Sequence, residues 1–176
     1  MLFRFLLATL LTALMACQTA RESKPVHAAP VALTQSIDQL YEAFCFDAEG
    51  QADWQTMRDL FAPGAAFVAP FAPGDSPKAV DEDTFLADFK AWVESDTMRA
   101  TGLHERIVHV EIEHLGVIAH TWITFEGFYP ETGEVRSVGV DSIQWVLDGE
   151  RWLLASFTTQ YEGDALQLPV RFWPER

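Results

Sequence analysis

The chain has 176 residues, of which 49% are hydrophobic and 12% aromatic, and 26 acidic against 12 basic side chains give a net charge of −14. That is one domain's worth of chain with ample apolar material for a core. The charge argues against nucleic acid, whose binders need clustered Lys and Arg to displace counterions, and against docking on anionic lipid by a basic face; two cysteines cannot make a disulfide scaffold.

Arg4 and the amino terminus supply a short positive start, and residues 5–15 are then apolar apart from Thr9 and Thr12. The run falls short of the roughly 20 residues a helix needs to span a bilayer and has the length of a signal-peptide core. It ends in Leu14-Met15-Ala16-Cys17, which resembles the lipobox of bacterial lipoproteins. The resemblance implies that residues 1–16 are a signal peptide and that Cys17 becomes the lipidated first residue. The protein is then held at the cell envelope by its acyl chains alone, each buried methylene contributing about 0.8 kcal/mol. Gln18, where an Asp is absent, implies the outer membrane facing the periplasm if the host is Gram-negative. The alternatives are an ordinary secretory signal with a chance cysteine, or an uncleaved anchor. Residues 17–32, with Pro25, Pro30 and no sustained periodicity, read as a tether.

A first helix is predicted over residues 36–45, where Ile37, Leu40, Tyr41, Phe44 and Cys45 form one apolar stripe and Ser36 and Gln39 fit a capping box. Cys45 on that stripe is expected to be a buried structural thiol. Asp53 can cap a short second helix carrying Trp54, Met57, Leu60 and Phe61, stopped by Pro63-Gly64. Residues 65–69 can form a strand, and 70–77, with three prolines, form a loop. Asp81, Glu82 and Asp83 suit the positive end of a third helix, whose apolar face is Phe85, Leu86, Phe89, Trp92 and Val93.

After Gly102 the period changes from helical to two. Strands are predicted over 106–113, 117–129, 135–147 and 151–161, with turns at Leu115-Gly116, at 130–134 and at Asp148-Gly149. Residues 164–176 read as a tail whose Phe172 and Trp173 suit contact with an apolar surface. Helices first and an antiparallel meander afterwards give an α+β class: N-terminal helices packed on a strongly curved antiparallel sheet.

The order resembles the nuclear transport factor 2-like superfamily, the cystatin-like cone shared with ketosteroid isomerases and SnoaL-like cyclases, over residues 33–163. The stretch Gly139-Val140-Asp141-Ser142-Ile143-Gln144-Trp145, leading through Asp148-Gly149 to Arg151-Trp152, is similar to that family's last hairpin. His104-Glu105, residues 116–119 and Tyr161-Glu162 also sit where SnoaL-like proteins carry similar residues. The resemblance implies a deep apolar pocket between helices and sheet, and frequent dimerisation through the outer sheet face. It does not imply one activity, because this fold hosts isomerases, dehydratases, cyclases and non-catalytic binders.

Strand parity selects the side chains that enter such a pocket. Val108, Val110 and Ile112, and with them His104, are expected to face inward. So are Ala119, Thr121, Ile123 and Phe125; Asp141, Ile143, Trp145 and Leu147; and Leu153, Ala155, Phe157, Thr159 and Tyr161. A single bulge inverts part of such an assignment. His104, Asp141 and Tyr161 are therefore the candidate catalytic groups: a proton carrier from Asp or His, and a hydrogen-bond donor from Tyr. Tyr41, Phe44, Trp54, Phe89, Thr121, Ile123, Phe125, Ile143, Trp145 and Phe157 are the candidate ligand-pocket residues. His120, Trp122, Ser142 and Gln144 fall on the outer face. His104, His109, His114 and His120 have neither the spacing nor the shared parity of a metal site, and nothing implies a cofactor. Three functions are compatible with this: an envelope lipoprotein whose cone binds a small, largely apolar molecule; an acid/base isomerase or dehydratase; and a non-catalytic lipoprotein that binds an envelope protein through the outer sheet face. A homodimer through that face is a separate expectation.

Overall fold

The first helix, α1 (Val31–Phe44), begins inside the segment read as a tether, because its apolar stripe reaches back to Leu33, which is fully buried. The computed structural model describes residues 29–71 and 73–174. The segment read as a signal peptide, Cys17 and most of the expected tether lie outside the described residues. α2 (Trp54–Leu60) is capped by Asp53, whose carboxylate accepts the Thr56 N–H at 3.0 Å. β1 (Phe61–Val68) follows without a break, four residues earlier than predicted, and its register shifts between Phe61 and Ala66 across Pro63-Gly64. After the Pro-rich loop, β2 (Val80–Asp81) pairs with β1, and α3 (Glu82–Val93) is capped by Asp81, which accepts the Thr84 N–H at 2.9 Å.

A further short helix, α4 (Asp96–Thr101), buries only Met98 and so carries too little periodicity to be read locally. Gly102 ends it at φ +67°, and a Cβ there would stand 2.6 Å from the Phe46 carbonyl oxygen. Glycine is thus what lets Phe46 and Leu103 exchange backbone hydrogen bonds at 2.8 Å.

Four long strands follow: β3 (His104–Leu115), β4 (Ile118–Phe128), β5 (Val135–Asp148) and β6 (Arg151–Tyr161). They form the predicted antiparallel meander in a sheet of order β2-β1-β6-β5-β4-β3. The β1–β6 contact is parallel, a long-range pairing that no turn signal announces. Two register shifts matter for the interior. Ile107 pairs with Phe125 and His109 with Thr124, so Val108 is an extra residue on β3. Gln144 pairs with Ser156 and Trp145 with Leu154, so Ala155 is an extra residue on β6. Inward parity is inverted on one side of each bulge. Trp152 and Leu154, rather than Leu153 and Ala155, pack into the core. Val108 is exposed, while Ile107 and Val110 pack inward.

The core between the helices and the sheet's concave face is largely phenyl. Phe67 is fully buried and stacks on Phe85 with centroids 4.3 Å apart, and Phe85 stacks on Phe89 at 5.9 Å. At the other end, Trp145 is fully buried and its indole N–H donates to Thr121 Oγ1 at 3.0 Å. The tail does return to an apolar surface. A short 3-10 turn (Val170–Phe172) lays Phe172 against Trp122 at 5.3 Å on the outer face, and Thr124 Oγ1 donates to the Phe172 carbonyl at 2.5 Å.

Candidate functional site

The bulge at Val108 decides what β3 contributes to the cone. Because the register slips by one residue there, Glu105 rather than His104 enters the interior, where it lines a cavity. His104 is a correction to the predicted set. It turns outward, its Nε2 stands 3.1 Å from Asp47 Oδ1, and its ring meets the Phe128 edge at 5.9 Å.

Asp141 and Tyr161 are placed as predicted, since no register shift lies between them on the β5–β6 ladder. Asp141 is 2% exposed. Tyr41 of α1 donates its hydroxyl to Asp141 Oδ2 at 2.5 Å, and Thr159 donates to Oδ1 at 2.7 Å. Tyr41 therefore acts through Asp141 rather than as pocket wall. The Tyr161 ring stands edge-on to Phe125 at 5.9 Å. Gly139 makes room for that ring pair: a Cβ on Gly139 would lie 2.6 Å from Phe125 Cζ.

The cavity at the heart of this cluster is about 40 Å³, room for a few water molecules. Its polar lining is Glu105, Asp141, Thr159 and Tyr161, and its apolar wall is built chiefly from phenyl rings. Of the predicted pocket residues, Phe44, Phe89, Phe125 and Phe157 line it. Thr121, Ile123, Ile143 and Trp145 do not; they are buried deeper, at the closed end of the cone. Trp54 sits behind the wall, edge-on to Phe89 at 5.7 Å. Phe71 and Phe85 line the cavity although neither was singled out for it. Phe85 was legible as helix stripe, whereas Phe71 lies in a Pro-rich loop whose path the sequence does not reveal.

Burial shapes the electrostatics. Loss of water raises the Asp141 carboxyl to about 7, against the pull of the Tyr41 and Thr159 hydrogen bonds, which favour its anion. Burial, then the nearby Asp141 charge, raises Glu105 to about 8, and Arg136 opposes this. Burial and the same two carboxyls push both Tyr41 and Tyr161 above the ordinary tyrosine range. Cys45 is part-buried, with its Sγ 3.3 Å from the Glu105 N–H that donates to it, and burial raises its thiol. That is the environment of a structural cysteine, not of an activated thiolate. Among the described residues no three His, Cys, Asp or Glu side chains converge on a point that could hold a metal ion.

No protein-family profile and no curated protein matches the chain. Solved structures do. A cystatin-like protein of unknown function from Nostoc punctiforme superposes with a TM-score of 0.60 at 12% identity, over 76% of this chain and 90% of that one. An NTF2-like protein of unknown function from Silicibacter pomeroyi gives a TM-score of 0.51 at 17% identity, over 74% and 93% of the two chains. The CaMKII hub of S. rosetta gives 0.55 at 13% identity, over 77% and 98%. The domain thus has the cystatin-like, NTF2-like fold. Likeness at these identities carries the fold and no activity.

Proposed function

We propose that this domain is a binding module that takes a small, largely apolar molecule into the phenyl-walled end of its cone, with Glu105, Asp141 and Tyr161 orienting the molecule's polar group. The observation that carries this is the convergence of those three side chains, from β3, β5 and β6, on one cavity otherwise walled by phenyl rings. Binding sites are concave, mostly apolar and set with a few convergent polar groups, and buried carboxyls with raised affinity for protons cluster at such sites. The lipobox-like Leu14-Met15-Ala16-Cys17 supports an envelope address, with the domain tethered through a lipid on Cys17 and, in a Gram-negative host, facing the periplasm.

One observation favours a second reading. Two carboxyls and a tyrosine hydroxyl line one cavity, and burial raises both carboxyls above the usual carboxylate range, which is what an acid/base isomerase or dehydratase requires. In such an enzyme Asp141 and Glu105 exchange the proton and Tyr161 steadies a developing oxyanion. The outer sheet face is a weaker candidate for a partner protein or a second copy, because Phe172 of this chain already lies on Trp122.

Native mass spectrometry of the mature protein, purified gently from its own host, tests the binding reading. A co-purifying small molecule lost from a Phe89→Ala variant is expected. Protein mass alone, together with no rise in melting temperature across a panel of apolar small molecules, overturns it, since a ligand of the folded state must stabilise that state.

A further inference from the structure

The polar lining of the cavity is one-sided. Glu105, Asp141, Thr159 and Tyr161 offer two carboxyls and two hydroxyls, and among the described residues no Lys, Arg or His side chain lines it. Thr159 already donates its proton to Asp141. Among the described residues, no group hydrogen-bonds to the half-buried Glu105 carboxyl, which lines the cavity, whereas both oxygens of the buried Asp141 are engaged. Arg136, whose charge acts on Glu105, makes no ion pair with it; its guanidinium lies over the Trp92 ring, 5.3 Å from the centroid. A pocket selected only for apolar ligands gains nothing from one buried and one half-buried carboxyl, whose withdrawal from water costs free energy.

The neighbouring groove has the same sign. Pro70, Thr159 and Tyr161 belong both to the cavity wall and to a surface groove of about 570 Å³ that runs along the Pro-rich loop and residues 159–166. The charged side chains lining that groove are Asp75, Glu162 and Asp164, all acidic. Phenyl faces beside carboxylates are the setting in which organic cations are recognised, by attraction to the ring quadrupole and by direct charge pairing.

Resting on the binding function proposed above, we infer that the cavity is a receptor for an organic ammonium ion: a compact ammonium head sits between Glu105 and Asp141 against the phenyl wall, and the rest of the molecule lies along the acidic groove. The head donates to the unpartnered Glu105 carboxylate. In doing so it replaces the proton that the carboxyl pair otherwise holds, so binding releases protons and tightens as the pH rises from 6 to 9. The groups that act on the pair are Tyr41 and Cys45 from α1 and its C-terminal end, Thr159 and Tyr161 from β6 and the Arg136 guanidinium from β5, whose fixed positive charge opposes the head at every pH; Asp75 from the loop acts on Tyr161. A ligand that instead accepts a hydrogen bond from the protonated pair has the opposite pH dependence.

The test titrates the full mature protein with trimethylammonium chloride and, separately, with tert-butanol, its neutral near-isostere, at constant ionic strength. The ring signals of Tyr41 and Tyr161 are followed by NMR. Trimethylammonium is expected to bind about tenfold more tightly than tert-butanol at pH 8, with a preference that shrinks toward pH 6. Glu105→Gln, which keeps the shape and breaks no hydrogen bond, should abolish the preference while the spectrum stays folded; Glu105→Asp should restore part of it. Equal or tighter binding of tert-butanol, or an unchanged preference in Glu105→Gln, overturns the ammonium inference and leaves the pocket standing. If neither probe moves the tyrosine signals, the ammonium inference and the binding function fall together.

Discussion

Tyr41 on the first helix and Asp141 on the third long strand are 100 residues apart in sequence and are joined by a 2.5 Å hydrogen bond in the buried interior. The hydroxyl donates and the carboxylate accepts. This contact ties helix to sheet at the edge of the cavity and helps hold Asp141 as an anion against the pull of burial.

Removing that donor should be legible in two readouts. Tyr41→Phe is expected to lower stability by about 1–3 kcal/mol, the usual worth of a buried hydrogen bond to a charged acceptor. It should also move the Asp141 carboxyl further above about 7, because a favourable contact with its anion is gone. Urea unfolding gives the first, and a carboxyl-carbon NMR titration gives the second.

The raised carboxyls set a direction for stability against pH. Glu105 and Asp141 bind protons more tightly in the folded chain, at about 8 and about 7, than in the unfolded chain, at about 4. Their contribution is therefore fully present below about pH 4 and is lost as the pH rises through the folded values, at up to about 1.4 kcal/mol per pH unit for each group. The N-cap carboxylates Asp53 and Asp81 are lowered by their Thr56 and Thr84 hydrogen bonds and work the other way, losing their stabilisation in acid. Urea midpoints should therefore fall between pH 5.5 and 8.5, and Asp141→Asn should flatten that slope. A parent whose stability rises across the interval contradicts the assignment.

Gly139→Ala is expected to cost about 1–3 kcal/mol, as inserting a methyl into a tight interior does. Its Cβ would meet the Phe125 ring at 2.6 Å, and that ring in turn stands against Tyr41 and Tyr161. Ring signals of all three should shift in the variant. Gly163→Ala, at a position with open space around it and, like Gly139, no positive φ, serves as the control.

His104→Ala separates the outward placement from the inward one. With His104 paired to Asp47 outside the cone, its removal should leave the titrations of Asp141 and Glu105 where they are, and cost less than about 1 kcal/mol. A clear displacement of either carboxyl would mean that His104 reaches the cavity.

Phe172→Ala should uncover Trp122 on the outer face, while the backbone carbonyl of residue 172 that accepts from Thr124 is kept. Faster amide exchange on β4, a small loss of stability and an unchanged interior are expected. If the variant gains a tendency to self-associate through that face, the tail is the element that keeps the sheet covered.

Local pattern was enough for the parts of this protein that local physics controls. Amphipathic stripes at Ile37, Leu40 and Phe44 and at Phe85 and Phe89 mark helices because side chains three and four apart share a face. Alternation after Gly102 and the Asp148-Gly149 turn mark the meander, and Asp141 and Tyr161 fall inward by parity alone. Tertiary structure decided the rest. Val108 is apolar whether it faces in or out, so nothing in the local pattern announces the bulge that exchanges His104 for Glu105. The parallel β1–β6 pairing, the donation from Tyr41 to Asp141 and the return of Phe172 to Trp122 join residues far apart in the chain. Periodicity reports only which face a residue prefers; which partner it meets there is settled by how the layers close over one another.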